Sequence, residues 1–143
     1  MTVETALAVP LLILIFFGVV EIGIMADSVV ELTRVTREAA RGASRGWTPS
    51  QVSSFLQQLR SIDPETITVE CEYQPLDPET GEYGAWQPLT SVGSFNSARD
   101  GDRVRVVLTC EHKLISGGLF GGLVDDPQTG TTTLSATATF RRD

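Results

Sequence analysis

Residues 5–20 contain no ionisable side chain, and residues 22–26 resume the apolar run after a single acid, Glu21. As a helix rising about 1.5 Å per residue, residues 5–26 extend about 33 Å, enough to cross the roughly 30 Å hydrocarbon layer of a bilayer. Two carboxylates stand in this element, Glu4 near its start and Glu21 towards its end. An acid at the centre of a membrane helix costs about 2.5–3.5 kcal/mol on insertion scales, so Glu4 calls for a reason. One reason is placement among headgroups at a helix N-terminus, where the macrodipole favours an anion by about 0.3–1 kcal/mol. A secretory signal peptide fits poorly, because no basic stretch precedes the apolar run and no small-residue cleavage site follows one.

Beyond residue 26 the pattern turns amphipathic. Val29, Val30, Leu32, Val35, Ala39 and Ala40 recur at spacings of three and four, with Arg34, Arg37, Arg41 and Arg45 between them. This reads as one helix running to about residue 44. Gly42 and the Gly46-Trp47 pair end it, and Thr48-Pro49 restarts a helix, with Thr48 as N-cap and Pro49 in the first turn. Pro10 and Gly18 are the weak positions. A kink or a short melted stretch is expected near Pro10, the alternative being that membrane helices tolerate proline. The arginines read first as a solvated face with Glu38 pairing to Arg41 and Arg34, and otherwise as a contact for lipid headgroups or an acidic partner.

Residues 1–46 therefore form a long helical segment and residues 47–143 one small head domain, too short for two. The head carries 13 acids and 7 bases, a net of −6, of the chain's −7. Nucleic acid as a partner is excluded by that sign. Residues 49–61 pattern as an amphipathic helix with Val52, Phe55, Leu56 and Leu59 on one face. Strands are expected at residues 66–74, near 83–89, at 103–114 and at 134–142, making the fold α+β with an antiparallel sheet. Turn formers crowd residues 77–81, 99–102 and 125–130. Their acids do not follow the spacing of a calcium loop, so no metal is expected.

Cys71 lies in phase with Ile67, Val69 and Tyr73, and Cys110 with Val104, Val106 and Leu108, so both thiols should face one core. On adjacent strands they would close a loop of about 40 residues as a disulfide, worth about 3–4 kcal/mol; otherwise they are two buried thiols. Residues 116–124 are glycine-rich but lack the Lys-Ser/Thr ending of a phosphate loop. Leu119, Phe120 and Leu123 there read as contacts to a neighbouring subunit or to their own domain. His112, the single histidine, is read as a surface strand residue on the opposite face from Cys110, which disfavours a Cys/His nucleophile. No catalytic set or cofactor site is expected.

The block Glu4-Thr5-Ala6-Leu7-Ala8-Val9-Pro10-Leu11-Leu12 followed by Phe17-Gly18-Val19-Val20-Glu21-Ile22-Gly23 closely resembles the TadE-like pilins of tight-adherence (type IVc) pili. The likeness covers about the first 45 residues, with a weaker echo in residues 134–142. It implies a precursor whose basic leader is removed by a prepilin peptidase. It also implies a helix held in membrane lipid before assembly, and then packed with copies of itself in an extracellular adhesive filament. Partners would be further copies of the chain and the pilus assembly machinery. The family acid, matched by Glu4, would neutralise the N-terminal amine of a neighbour, here that of Met1, with Pro10, Gly18 and Glu21 completing the assembly segment. Taken alone, the positive-inside rule would place Arg34, Arg37, Arg41 and Arg45 in the cytoplasm, and a basic leader, once removed, would reverse that orientation. The exported head that the family implies favours the Cys71–Cys110 disulfide. A minor pilin that primes or caps assembly, and a monomeric membrane-anchored binding protein, are the alternatives.

Overall fold

In the computed structural model, residues 2–58, 66–115, 125 and 129–143 are described. The first element, α1, spans Thr2–Ser44 and is unbroken through Pro10, so the melted stretch expected there does not occur. Proline removes one backbone donor, and the Ala and Leu residues around it are strong helix formers that carry the ladder past the gap. A Schellman motif ends α1: the Gly46 N–H donates to the Ala43 carbonyl at 3.0 Å and the Trp47 N–H to the Gly42 carbonyl at 3.1 Å. Gly46 makes this possible at φ 103°, a left-handed conformation that costs glycine little. The restart is as read from Thr48-Pro49. Helix α2 spans Pro49–Leu56 behind a capping box, in which the Thr48 hydroxyl accepts the Gln51 N–H and the Gln51 side chain accepts the Thr48 N–H. It stops short of the expected residue 61; residues 59–61 lie outside the described set.

Two compact units divide the chain, Met1–Ser28 with Glu111–Leu134, and Val29–Cys110 with Ser135–Asp143. In the larger unit, β1 (Ile67–Gln74) pairs antiparallel with β2 (Gln87–Pro88) and with β5 (Arg103–Lys113). The four-stranded sheet has the order β2-β1-β5-β6, with β6 at Thr131–Arg141. The Arg142 N–H donates to the Asp102 carbonyl at 2.8 Å, and the Gly101 N–H to the Arg142 carbonyl at 2.8 Å, closing the antiparallel β5–β6 pair beyond the strand ends. The class is α+β, as the alternation predicts. The strand expected near residues 83–89 shrinks to β2 and a lone Leu76–Tyr83 bridge. Pro88 lacks a donor, which suits a two-residue edge strand and little more. A hairpin of β3 (Ser91–Val92) and β4 (Phe95–Asn96) was not legible, because two-residue strands have no periodicity to detect.

Val104, Val106 and Leu108 are fully buried at alternate positions of β5, and Ala136 and Ala138 face inward from β6. Leu32, Val35, Ala39, Ala40 and Ala43 supply the helical share of the buried set, and Val52 and Leu56 that of α2. Small residues at 39, 40 and 43 let the helix backbone approach closely, so this stripe is alanine where a looser contact would take leucine.

The disulfide expectation fails on register. Cys71 stands opposite Val106, and Cys110 opposite Ile67. The thiols share adjacent strands and one face, but four residue pairs separate them, about 13 Å along the strands, whereas a disulfide needs Cα atoms within about 7 Å. Both cysteines are free, Cys110 buried and Cys71 half-buried. Burial pushes the Cys71 thiol up to about 11 and raises that of Cys110 as well. His112 also departs from expectation: β5 runs to Lys113, so residues two apart share a face and His112 lies on the same side as Cys110. Its Nε2 is buried and, among the described residues, has no hydrogen-bond partner.

Candidate functional site

Residues 7–17 of α1 are exposed around the whole circumference of the helix. Leu11, Leu12, Ile13, Leu14, Ile15, Phe16 and Phe17 are consecutive, and every one is exposed; at 100° per residue they leave no polar side. Leu7 is 74% exposed and Phe16 66%. Covering a Val, Leu or Phe side chain fully is worth about 1.5–3 kcal/mol, so this surface is stable only when something apolar surrounds it. The helix is long and apolar enough to cross a membrane, with a mean hydropathy of 2.6 in its most apolar window.

Of the residues singled out for assembly, Pro10 is exposed and Gly18 half-buried within this apolar surface. Met1 and the Glu4 side chain lie outside the described set, as do Leu119, Phe120 and Leu123.

Glu21 contrasts with its neighbours: it is 2% exposed beside Val20 and Ile22, which are open. Its Oε1 accepts the Ile115 N–H at 2.9 Å. Ile115 lies just past the end of β5, where the preceding Leu114 is buried and its N–H donates to the Gly130 carbonyl at 2.9 Å. A backbone donor bonded to a carboxylate is worth about 1.5–3 kcal/mol, more than a neutral pair, and the bond spares both groups from burial without a partner. Within this smaller unit the acid ties the exit of β5 to the helix, at the level where the apolar run of residues 5–20 ends. In the sequence the position shows only an acid costly in lipid and a place in the resemblance-derived assembly segment, with no sign of this bond.

Further along α1 a groove of about 660 Å³ is lined by Arg34, Arg37, Glu38, Arg41 and Arg45 and floored by Gly42 and Trp47. An ideal Cβ on Gly42 would come within 2.5 Å of the Trp47 indole Cδ2 and closer to Cε3, so glycine is what admits the ring. The expected pairing of Glu38 with Arg34 and Arg41 does not form. Among the described residues the ion pairs are Arg105 with Glu72 and Arg142 with Asp100. Arg41 instead lies 5.8 Å over the Phe140 ring of β6.

Asn96 carries no signature in the sequence, yet it holds this end of the head together. Its Nδ2 donates to the carbonyls of Ala43 at 2.6 Å and Trp47 at 2.8 Å. Its Oδ1 accepts from the Ala98 N–H at 3.2 Å and from Arg142 Nη1 at 2.7 Å. All four bonding positions of the amide are filled. No local pattern announces such a residue, because its partners are 2 to 53 positions away in the chain.

Among the described residues no group of three or more His, Cys, Asp or Glu is placed to hold a metal ion. An exposed apolar helix of this length fits membrane anchoring. The TadE-like protein family model matches the chain over residues 1–41. That match ends inside α1 and leaves the sheet outside it. No curated protein and no solved structure matches the chain.

Proposed function

We propose that this chain is a structural pilin subunit that polymerises through residues 1–46 into an extracellular filament of the Tad type, serving surface adhesion, with residues 47–143 as its outward head. The observation that carries the reading is the fully encircling apolar surface of α1 from Leu7 to Phe17, inside a segment that matches the TadE-like family. Lipid covers that surface before assembly and copies of the same helix cover it afterwards, so the energy of burial is available in both places. Glu4 and the amine of Met1 would then act as a matched pair between neighbouring subunits. Each charge alone is expensive in an apolar core, and one opposite charge within bonding reach offsets much of that cost while selecting register. A prepilin peptidase and the assembly machinery are the partners this reading requires. The chemistry is assembly, not turnover.

Mass spectrometry of filaments sheared from cells tests the proposal. Recovery of this chain in the filaments, with its N-terminus at Met1 and both thiols free to alkylate, supports it. Recovery solely in the membrane fraction with a leader retained would point instead to a monomeric anchored binding protein.

A further inference from the structure

We propose that the arginine groove of one subunit receives the acidic loop at residues 77–82 of a second copy, forming the lateral head contact of the filament. The proposal rests on the polymerisation reading and adds the surface and the partner segment.

The groove presents four guanidiniums and one carboxylate, Glu38, a net of +3, on a chain whose overall charge is −7. Arg34, Arg37 and Arg45 are exposed and, among the described residues, have no acid bonded to them. Arg41 is held against Phe140, which fixes one wall of the positive surface. Two basic residues of β5 are engaged differently: Arg103 stacks on Tyr83 at 3.9 Å, and Arg105 stacks on Trp86 at 4.1 Å while pairing with Glu72.

The loop is the complementary object. Asp77, Glu79 and Glu82 are all exposed and contribute −3 within six residues. The loop's backbone is built, not slack. The Asp77 N–H donates to the Glu82 carbonyl at 2.9 Å, and the Gly81 N–H to the Asp77 carbonyl at 2.8 Å with Gly81 at φ 72°. Asp77 Oδ1 also accepts the Glu79 N–H at 2.9 Å, which holds its carboxyl below the ordinary carboxylate range. A preorganised loop loses little entropy on docking, so its charges act at the interface with less to offset.

Placement favours a second copy. The loop follows β1, on the β2–β1 side of the sheet, whereas Arg41 sits over β6 at the other end of the strand order. Within one subunit no ion pair among the described residues joins the loop's acids to the groove's arginines. Between subunits they make a heterologous contact, the kind that repeats without closing and so builds a filament. Lipid phosphate is the competing occupant, but even Arg34, the groove arginine nearest the apolar run, stands 8 residues past Ala26, about 12 Å of helix at 1.5 Å per residue, and Arg45 about 28 Å, whereas the headgroup layer adds only about 5–8 Å on each side.

Charge exchange in the full chain tests this. Arg34→Glu with Arg37→Glu, and separately Glu79→Arg with Glu82→Arg, should each lower sheared-filament yield about tenfold, and the four substitutions together should restore most of it. Glu70→Lys, at an exposed acid outside the loop, should leave the yield unchanged. All the altered side chains are exposed, and a thermal melt of each variant confirms folding. Unchanged yields from both reversals, with normal wild-type filaments, would overturn the docking alone. Absence of filaments from the wild-type chain would overturn the polymerisation reading and the docking with it. A defect confined to the arginine variant, accompanied by loss of binding to phosphatidylglycerol vesicles, would overturn the docking in favour of lipid phosphate.

Discussion

Replacing Asn96 with alanine removes a 4%-exposed amide that links the end of α1, the β3–β4 hairpin and the chain after β6. The four bonds do not count equally. The Ala43 carbonyl still accepts the Gly46 N–H, and Arg142 Nη1 still donates to the Ala98 carbonyl, so those groups keep a partner. The Trp47 carbonyl and the Ala98 N–H do not. A buried backbone group left without a partner costs about 1–3 kcal/mol, and water reaching the half-buried Trp47 relieves part of one, giving an expected loss of about 3 kcal/mol. Asn96→Asp should not rescue, because it keeps the two acceptor contacts and turns an oxygen towards two carbonyls that need a donor. Urea unfolding of the full chain in mild detergent, followed by tryptophan fluorescence, should show a lower midpoint with an unchanged slope. A loss below about 1 kcal/mol for Asn96→Ala would refute the claim that the amide holds these segments together.

Glu21→Leu should accelerate hydrogen exchange at the Ile115 amide by at least about tenfold, whereas Glu21→Gln, which keeps an acceptor, should change it only a few-fold. Gly42→Ala should destabilise by about 1–3 kcal/mol through overpacking, because Trp47 must leave its place beside Phe55, 5.7 Å away between ring centres; a red-shifted tryptophan emission would report it. With its thiol pushed up to about 11 from 9.0, Cys71 should alkylate about a hundredfold more slowly than a free cysteine near pH 8, measured by timed iodoacetamide labelling. The folded state holds that proton more tightly than the unfolded chain, so the stabilisation is complete below about pH 9 and is lost as pH rises towards 11. Urea midpoints should fall more steeply across that window in the native chain than in Cys71→Ala. Glu4→Val should leave the chain in the membrane and reduce filament yield, scored by comparing the two fractions.

The long helix, its stop at Gly46-Trp47, the Thr48 cap and the alternation of β5 were legible in the sequence because each depends on residues within one or two turns of one another. So was the need for an external apolar cover, since the composition of residues 5–20 leaves no polar side whatever the fold. What was misread depended on register or on distance. Cys71 and Cys110 were correctly read as facing one side, but the adjacency of their strands and the offset of four residue pairs are set by the whole β1–β5 ladder and have no local signature. Glu38 had the spacing to pair with its arginines, yet their side chains open onto a groove whose wall, Phe140, lies about a hundred residues further along the chain.

The sequence by itself determined that this chain carries a helix unable to remain in water and a small acidic α+β head, because hydrophobicity, helix capping and strand alternation are short-range properties. Tertiary structure alone decided that Glu21 would be buried against the Ile115 amide, that Asn96 would become the tie across three segments, and that Arg34, Arg37, Arg41 and Arg45 would have no ion-pair partner among the described residues. Those outcomes depend on which distant backbone groups and side chains packing brings within hydrogen-bonding reach, about 3 Å, a condition that spacing along the chain does not encode.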